Sequence, residues 1–381
     1  MNPGNKNILI IAGEASGDLH GSALITELKN TDPSIRIYGI GGEKMKDAGM
    51  TILYPIDRLA FLGFAEVLRH LPFIKKVQRE IIQLVKEKEI KNAVLIDYPG
   101  FNLNLAKKLK KEGINIYYYI SPQIWAWGAG RVEKIRTLVN KMIVVLPFEK
   151  EFYSKNNIAV EYVGHPLLER IDDYKLLSRT EFYNKFNLDP TKEILLILPG
   201  SRKNEITRIL PEAVKAAGKL MNEFNLQTIV ACSNNIDADI FKKQLGGIEI
   251  KVIKGHNYDL MNLAKIGIIK SGTSTLEAAL FSLPMVIVYK TSLVTYLIGR
   301  KLIKLDTIGM ANIIAGEKIV PELIQNQASA QNIYKECRKI LSDKELYSTI
   351  RKNLALIKSK LGSPGASHKA AQIICSALNE I

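Results

Sequence analysis

Hydrophobic and polar positions follow a repeating pattern along this chain, in which short apolar runs alternate with longer amphipathic stretches. Each apolar run is rich in β-branched residues and ends in Gly, Ser, Pro or Asp, and a stretch with helical periodicity follows it. Strands that alternate with helices predict parallel sheets that are covered on both faces. The predicted strands lie at 7–12, 35–40, 92–97, 114–120 and 142–146 in the first half, and at 193–198, 227–232, 249–253, 266–270 and 284–289 in the second.

The length of 381 residues indicates more than one hydrophobic core. A polar, interrupted segment separates the two groups of strands, and each group has the alternation of a Rossmann-like domain. We therefore predict an α/β protein with two Rossmann-like domains, whose parallel sheets face each other across a cleft. The predicted boundaries are 1–170 for the N-terminal domain, 171–190 for a linker, 191–345 for the C-terminal domain and 346–381 for C-terminal helices, whose packing on the N-terminal domain stays open.

The composition is that of a globular protein with an excess of basic residues. Hydrophobic residues make up 47% and charged residues 24%, and no apolar stretch reaches 18 residues, so we expect no membrane span. We read no secretory leader, and the three cysteines match no zinc spacing, which predicts a cytoplasmic protein with reduced thiols. The net charge of +15 is shared by both halves. A basic surface attracts any partner that carries phosphate groups, but no nucleic-acid-binding module is recognisable in the sequence.

Two turns of the second half combine glycine, hydroxyl groups and the start of a helix. The first turn follows the strand at 193–198 and contains Gly200, Ser201 and Arg202. The second turn follows the strand at 266–270 and contains Ser271, Gly272, Thr273, Ser274 and Thr275. Backbone N–H groups at helix starts and an arginine bind phosphate groups, so the two turns predict a nucleotide site. Glu277 has two interpretations, because it either accepts hydrogen bonds from a ribose or forms a capping box with Ser274.

Carboxylates stand at two strand ends of the first half. Asp97 ends the strand at 92–97, where a carboxylate can take a proton from an attacking hydroxyl group, although a structural role in the turn is an equal alternative. Glu14 and Asp18 follow the strand at 7–12 in a glycine-rich turn. Carboxylates accept hydrogen bonds, whereas a phosphate group needs donors, so this turn does not suit a phosphate and its ligand stays open at this point. Stabilisation of a helix N-terminus is the alternative explanation of Asp18.

Three further features are open to more than one interpretation. Trp125 and Trp127 follow the strand at 114–120, where stacking on a sugar or an acyl chain competes with core packing as their role. Asp237 and Asp239 resemble a metal-binding pair but lie away from any strand end, so we expect no metal ion. One helical face near residue 65 carries apolar residues with basic residues around it, which indicates either a membrane-interface patch or a core helix. The apolar residues of this face are Phe61, Phe64, Leu68 and Leu71.

Seven motifs in one order resemble those of the lipid A disaccharide synthase family. They are GEASGD, DYPGFN, SPQIWAW, VGHP, PGSR, SGTSTLEAAL and GMAN, and the resemblance runs from about residue 7 to the C-terminus. It implies the metal-independent two-Rossmann-domain arrangement called GT-B. It also implies an inverting transfer of 2,3-diacylglucosamine from its UDP derivative to 2,3-diacylglucosamine 1-phosphate. Another UDP-N-acetylglucosamine enzyme of the same fold, a 2-epimerase or a different glycosyltransferase, is the alternative.

The resemblance also implies roles for individual residues. Asp97 would be the general base, and the UDP would be held by the two turns of the second half together with Glu277, Met310 and Asn312. The acceptor or sugar would be bound by Glu14, Ser16, Gly17, Asp18, Gln123 and Trp127. Gly100 and Gly128 depart from the family pattern, which leaves the acceptor contacts open. Acylated substrates imply peripheral association with the inner face of the cytoplasmic membrane, without a cofactor or nucleic acid, and a homodimer is left open.

Overall fold

The computed structural model describes residues 6–58, 70–122, 124–127, 129–232, 236, 239–242, 244–245, 250–293, 296–297 and 306–379. The chain forms two compact units: unit 1 contains Met1–Glu169 and Leu361–Ile381, and unit 2 contains Arg170–Lys360. Within the described ranges, no helix is both long enough and apolar enough to cross a bilayer.

Strands and helices alternate through most of both units. The strands are β1 Asn7–Ala12, β2 Arg36–Gly41, β3 Met50–Pro55, β4 Asn92–Ile96, β5 Asn115–Tyr119, β6 Lys141–Val144, β7 Val160–Tyr162, β8 Glu193–Leu198, β9 Leu226–Cys232, β10 Lys251–Lys254, β11 Ala264–Lys270, β12 Met285–Tyr289 and β13 Glu322–Ile324. The helices are α1 Ala15–Thr31, α2 Glu43–Asp47, α3 Leu71–Glu87, α4 Pro99–Lys111, α5 Ile124–Trp127, α6 Ala129–Leu138, α7 Pro147–Lys155, α8 Pro166–Asp172, α9 Arg179–Lys185, α10 Lys203–Glu223, α11 Asp239–Lys242, α12 Asn257–Leu263, α13 Thr273–Leu280, α14 Met310–Ala315, α15 Ala330–Ser342, α16 Lys344–Lys360 and α17 Ala366–Asn379.

Each unit contains one parallel sheet with the strand order of a Rossmann fold. The order is β3-β2-β1-β4-β5-β6-β7 in unit 1 and β10-β9-β8-β11-β12-β13 in unit 2. The chain therefore reverses its direction of strand addition between β1 and β4 and between β8 and β11. In open sheets of this kind, ligands bind beyond the carboxyl ends of the strands at such a switch point. The prediction of two parallel Rossmann-like sheets is confirmed.

The strands that the sequence pattern missed all lie at sheet edges. β3 and β7 are the two outer strands of unit 1, and β13 is an outer strand of unit 2. Central strands such as β1 and β4 are buried almost throughout, whereas these three alternate between buried and exposed positions or are only partly buried. An edge strand is covered on fewer sides, so its sequence lacks the continuous apolar run that marks a central parallel strand.

The unit boundaries differ from the predicted domain boundaries in two places. The segment predicted as a linker contains α9, which belongs to unit 2 and whose Phe182 is fully buried. α16 belongs to unit 2 as well, whereas α17 belongs to unit 1. Within unit 1, His368 of α17 lies 2.7 Å from Glu27 of α1, and the Ser367 N–H donates to Glu169 at 2.9 Å. Of the predicted C-terminal helices, α17 therefore packs with the N-terminal part of the chain, and α16 is part of unit 2.

Candidate active site

The switch point of unit 1 brings two acidic turns together. Glu14 follows β1 and precedes α1, and Asp97 follows β4 and precedes α4. β1 and β4 pair directly, with Ala12 opposite Ile96, so both turns leave the sheet side by side. The Asp97 carboxyl is near enough to Glu14 to respond to its charge. The two carboxylates that the sequence places at strand ends of the first half therefore lie next to each other in the structure.

The backbone at Asp97 adopts an unusual conformation that neighbouring side chains support. φ is +42° at Asp97 and +48° at Tyr98, a region that costs free energy for residues other than glycine. The Asp97 carbonyl oxygen accepts hydrogen bonds from Asn102 Nδ2 at 2.8 Å and from Tyr118 Oη at 2.5 Å. The Tyr98 ring occupies the space that a Cβ on Gly13 would need. Strain of this kind clusters at active sites, and here these contacts keep the turn in one conformation.

The environment of Asp97 changes its acidity. Burial is the main cause that raises the pKa of the Asp97 carboxyl to about 6, and the Glu14 charge contributes in the same direction. A hydrogen bond from the Tyr98 N–H lowers the same pKa but does not cancel the increase. A carboxyl group with a pKa near 6 is ionised at neutral pH and is more basic than an ordinary aspartate. Asp97 therefore has the properties of a general base.

Two predicted sugar-binding residues of the turn after β1 have contacts within unit 1. The buried Asp18 carboxylate accepts hydrogen bonds of 2.7, 3.3 and 3.1 Å from the backbone N–H groups of Gly42, Lys44 and Met45. It thereby caps the N-terminus of α2, and it also lies in the first turn of α1, the position on which the alternative explanation rested. A Cβ on Gly17 would lie 3.2 Å from Ala12, so this glycine lets α1 pack closely on β1. These contacts leave Glu14 and the exposed Ser16 as the residues of this turn that suit a ligand.

The segment after β5 is anchored by a buried carboxyl group that the sequence analysis missed. Trp125 Nε1 donates to Glu149 Oε1 at 3.0 Å, and the hydroxyl oxygens of Ser121 and Tyr153 are 2.6 Å apart. Burial raises the pKa of the Glu149 carboxyl to about 7. Trp125 therefore packs against its own unit, as the core alternative predicted. The sequence feature that could have indicated Glu149 is its position three residues after Leu146. From there its carboxylate accepts the Leu146 backbone N–H at the start of α7.

Several predicted residues lie outside the described part of the chain. They are Phe61, Phe64, Leu68, Gln123 and Asp237, together with the side chain of Trp127. Leu71 of the predicted membrane patch is described: it begins α3, and 39% of its surface is exposed. In the described ranges, no group of three or more His, Cys, Asp or Glu side chains could hold a metal ion.

The switch point of unit 2 carries both predicted phosphate turns. The turn at 200–202 follows β8 and the turn at 271–275 follows β11, and these strands pair with Leu198 opposite Ile269. Gly200 has a φ of +122°, and a Cβ there would clash with the Glu205 side chain. Glycine is therefore required at the tightest point of the first turn. Each turn leads into a helix, α10 or α13, so two helix N-termini reach the same edge of the sheet.

Two cations surround Glu205 at this edge. Lys270 Nζ lies 2.8 Å from Glu205 Oε1, and an Arg202 guanidinium nitrogen lies 3.7 Å from the same oxygen. The other carboxylate oxygen accepts the Ser201 N–H at 3.1 Å. Arg202 was predicted, whereas Lys270 and Glu205 were not. The available signal was a lysine at the last position of β11, directly before the Ser271 turn.

Hydroxyl groups hold the second turn in place. Ser271 Oγ donates to the carbonyl oxygen of Ile308 at 2.9 Å. Thr275 Oγ1 donates to the Gly272 carbonyl oxygen at 2.8 Å and accepts the Met310 N–H at 3.1 Å. Ser271 and Thr275 are therefore occupied with the turn itself and with the segment before α14. Thr273 and Ser274, which begin α13, remain the hydroxyl groups suited to a ligand.

Glu277 is directed away from the start of its own helix. α13 begins at Thr273, so Ser274 is not its N-cap and the capping-box interpretation is wrong. Glu277 Oε1 instead accepts a hydrogen bond from Tyr258 Oη at 3.0 Å and lies 3.8 Å from an Arg170 guanidinium nitrogen. Burial raises the pKa of the Glu277 carboxyl, and the Arg170 charge opposes this increase.

A cavity of about 230 Å³ opens beside Glu277. The Tyr174 and Tyr258 rings form an aromatic wall, with their centres 5.1 Å apart in an edge-to-face arrangement, and the Arg170 guanidinium lies 5.1 Å from the centre of the Tyr258 ring. The buried Asp259 accepts the Tyr174 hydroxyl at 2.6 Å. The cavity is lined by Arg170, Tyr174, Cys232, Gly255, Asn257, Tyr258 and Glu277. Aromatic faces and a hydrogen-bonding carboxylate suit a small polar ring system such as a nucleoside.

The Asn312 side chain is hydrogen-bonded within unit 2, and its predicted nucleotide contact stays a prediction. Its side chain is fully buried, and Nδ2 donates to the Val320 carbonyl oxygen and to Glu322 Oε1 at 2.9 and 2.7 Å. Its Oδ1 accepts the N–H groups of Ile319 and Val320. Both ends of the amide are thus used within unit 2. Asn312 and Glu322 order the turn before α14, where Met310 donates its N–H to the second phosphate turn.

The chain is similar to known proteins over nearly its whole length. The family model for lipid-A-disaccharide synthetase matches residues 8–375. The lipid-A-disaccharide synthase of Geobacter metallireducens is 41% identical over 379 residues, which cover 99% of this chain and 98% of that protein. The enzyme of the same name from Syntrophus aciditrophicus is 41% identical over 374 residues and 96% of each chain.

Solved structures confirm the fold class. The UDP-N-acetylglucosamine 2-epimerase from Neisseria meningitidis, bound to UDP-N-acetylglucosamine, superposes with a TM-score of 0.68 at 12% identity and covers 98% of this chain and 100% of that one. The calicheamicin glycosyltransferase superposes with a TM-score of 0.63 at 14% identity and covers 99% of both chains. Structures this distant establish the GT-B fold, and the family match identifies the class of enzyme. The chain belongs to the lipid-A-disaccharide synthetase family of UDP-sugar-dependent glycosyltransferases.

Proposed function

We propose that this protein transfers 2,3-diacylglucosamine from its UDP derivative to the 6-hydroxyl group of 2,3-diacylglucosamine 1-phosphate. The products are a β-1,6-linked tetraacyl disaccharide 1-phosphate and UDP. The observation that carries the proposal is the Asp97 carboxyl, which stands at the switch point of unit 1 beside Glu14 and has a pKa raised to about 6. Membership of the family supports the class of donor and acceptor.

Asp97 acts as the general base in a single displacement. The acceptor oxygen forms a bond to the anomeric carbon while the bond from that carbon to the β-phosphate oxygen breaks. The hydroxyl proton passes to Asp97, and the electron pair of the broken bond remains on UDP. One displacement inverts the configuration at the anomeric carbon. Glu14 accepts hydrogen bonds from sugar hydroxyl groups, a role that suits its position next to the base.

Unit 2 holds the UDP part of the donor. Arg202 and the N-terminus of α13, with the Thr273 and Ser274 hydroxyls, bind the diphosphate. Glu277 accepts hydrogen bonds from the ribose, and the adjoining cavity takes up part of the uridine. Negative charge that develops on the departing UDP is stabilised by these donors. We therefore expect full activity after exhaustive treatment with EDTA.

The acyl chains of both substrates place the reaction at a membrane surface, the inner face of the cytoplasmic membrane. The exposed Leu71 at the start of α3 supports this location, because an exposed apolar side chain suits contact with a bilayer. Substitution of Phe61 and Phe64 by Ser should release the protein from anionic vesicles without lowering its melting temperature, whereas a large loss of stability would show that these residues belong to the core.

The decisive experiment is product analysis. Purified protein is incubated with UDP-2,3-diacylglucosamine and 2,3-diacylglucosamine 1-phosphate, and the lipid product is identified by mass spectrometry and its linkage by NMR. We expect the β-1,6 disaccharide from the wild type and from the control Asp57→Asn, whose side chain is exposed. Epimerisation of UDP-N-acetylglucosamine, or transfer to an acceptor without acyl chains, in the absence of the disaccharide would contradict the proposal.

A further inference from the structure

Lys270 reaches both turns that the proposed function assigns to the diphosphate. It ends β11, and its Nζ lies 2.8 Å from Glu205 Oε1 in the first turn of α10, the helix that follows β8. The same Nζ lies 3.6 Å from the position that a Cβ on Gly272 would occupy, in the turn that follows β11. A single ammonium group therefore stands at the switch point between the two turns.

Two cationic side chains meet at this point. Arg202 and Lys270 contribute two positive charges and the paired Glu205 one negative charge, and two helix N-termini add partial positive charge. Only 19% of the Lys270 side chain is exposed, so bulk solvent screens this charge weakly. Two cationic side chains and two helix N-termini at one edge of the sheet attract an anion that carries two or more charges.

We propose that Lys270 is a second diphosphate-binding cation beside Arg202, and that Glu205 holds its ammonium group in place when no nucleotide is bound. This inference rests on the proposed function, since it names a further residue of the same UDP site. Cleavage of the sugar–phosphate bond adds negative charge to the terminal phosphate of UDP. A cation placed between the turns stabilises this charge more than it stabilises the intact donor, and so lowers the barrier.

The test compares two ligands that differ only in the diphosphate. UDP binding is measured by calorimetry and uridine binding by NMR titration, for the wild type and for Lys270→Met. We expect the Kd for UDP to rise about tenfold or more, as for the loss of one charge-assisted contact, and the Kd for uridine to change less than about twofold. Lys270→Arg, which keeps the charge, should retain most of the UDP affinity.

Lys290 provides a matched control. It follows β12, one strand further from the switch point, and its Nζ lies 3.7 Å from Glu212 Oε1 with 23% of its side chain exposed. Lys290→Met removes the same charge from a similar ion pair at the same edge of the sheet. Its affinities for UDP and uridine should both equal those of the wild type. An equal loss of UDP affinity in both variants would show a general charge effect and would overturn the assignment of Lys270.

The remaining outcomes separate this inference from the proposed function. If Arg202→Met weakens UDP binding but Lys270→Met leaves it within twofold, the role of Lys270 is refuted and the UDP site stands. If wild-type protein binds no UDP, the proposed function itself fails.

A second pair of variants controls for a structural effect of the Lys270→Met substitution. Lys270→Met removes the nearer of the two cations from Glu205, which could disturb the turn, so the measurement is repeated in protein that carries Glu205→Gln. The Glu205→Gln single variant is compared with the Glu205→Gln, Lys270→Met double variant. A tenfold weaker UDP affinity of the double variant supports the inference, and equal affinities overturn it.

Discussion

The two units share one sheet topology, yet their switch points carry side chains of opposite charge. In unit 1, the carboxylates of Glu14 and Asp97 follow β1 and β4. In unit 2, Lys270 ends β11 and Arg202 follows β8, the equivalent pair of strands. Strand order fixes where a ligand can bind, and the residues at the strand ends select its chemistry. Acceptors of hydrogen bonds favour a sugar hydroxyl group, and cations favour a diphosphate.

The two switch points also differ in their backbone conformations. Unit 2 has Gly200, whose φ of +122° suits glycine, and a tight turn there brings N–H groups close to a ligand. Unit 1 has Asp97 and Tyr98 at positive φ, where glycine would be easier, and supports them with Asn102 and Tyr118. A strained residue with a side chain is useful where that side chain acts, whereas glycine is useful where the backbone acts. This contrast supports a reacting group in unit 1 and a binding site for phosphate in unit 2.

The largest effect is expected from removal of the base. Asp97→Asn should lower turnover about a hundredfold or more, because an amide cannot take the proton of the acceptor hydroxyl. UDP affinity should stay near that of the wild type, since the proposed nucleotide contacts are in unit 2. Turnover is measured with both acylated substrates at saturation, and UDP affinity by calorimetry. Near-normal turnover would show that another group, such as Glu14 or His20, removes the proton.

The next effect concerns the opposite switch point. Arg202→Met should raise the Kd for UDP roughly tenfold to a hundredfold, because a charged contact to the diphosphate is lost. Arg208→Met is the matched control, since Arg208 is an exposed residue of the same helix α10 and should not affect binding. The comparison between the units fails if Arg202→Met changes turnover with saturating donor but leaves the affinity for UDP unchanged.

A third effect is on stability and follows from the raised pKa of Asp97. At pH 3 the Asp97 carboxyl is largely protonated in the folded and the unfolded protein, so Asp97→Asn should change stability little there. At pH values above the folded pKa of about 6, Asp97 is ionised in both the folded and the unfolded protein, and the folded state bears the cost of a buried charge. The full shift corresponds to at most about 3 kcal/mol, and partial exposure reduces it, so we expect Asp97→Asn to stabilise the fold by about 1 kcal/mol at pH 8.

Denaturation of both proteins at pH 3 and pH 8 measures this difference. If the difference in unfolding free energy between the variant and the wild type is the same at both pH values, burial does not destabilise the charged Asp97 carboxylate. A variant that is less stable at pH 8 would show that the charged carboxylate has a stabilising partner. Either result would remove the electrostatic distinction between the two switch points.

The central strands and the order of the site turns could be predicted from the sequence, and the contacts of single residues could not. β1, β4, β8 and β11 were recognised because strands buried on both faces read as apolar runs, and the residues after them follow from topology. Lys270 was missed because a lysine at a strand end is ordinarily exposed, and only the packing of two turns shows its partner.

Some residues of recognised motifs turned out to have structural roles. Asp18 caps α2 and Asn312 orders the turn before α14, and both belong to motifs that also contain site residues. Sequence spacing indicates that such residues are close to a site, but it does not show whether their polar atoms are used inside the unit. For Asn312, both ends of the amide have partners within ten residues of the chain, which only the folded loop reveals.

The smallest expected effect tests whether the two carboxylates of unit 1 act on each other. The negative charge of Glu14 raises the pKa of Asp97, so Glu14→Gln should lower that pKa. Because Asp97 must be ionised to accept a proton, kcat/KM falls as the pH decreases through about 6 in the wild type. In the variant this decrease should begin at a lower pH, by less than about one pH unit, since burial remains the main cause of the shift.

The pH profile separates this effect from a loss of sugar binding. Loss of a contact between Glu14 and the sugar lowers kcat/KM by the same factor at every pH, whereas the change in the Asp97 pKa moves the acidic limb of the profile. Glu43→Gln is the control, because Glu43 is exposed at the start of α2 and should leave the limb in place. If the limb stays unchanged in Glu14→Gln, the two carboxylates are electrostatically independent. The acidic switch point would then be two separate sites, one for binding and one for catalysis.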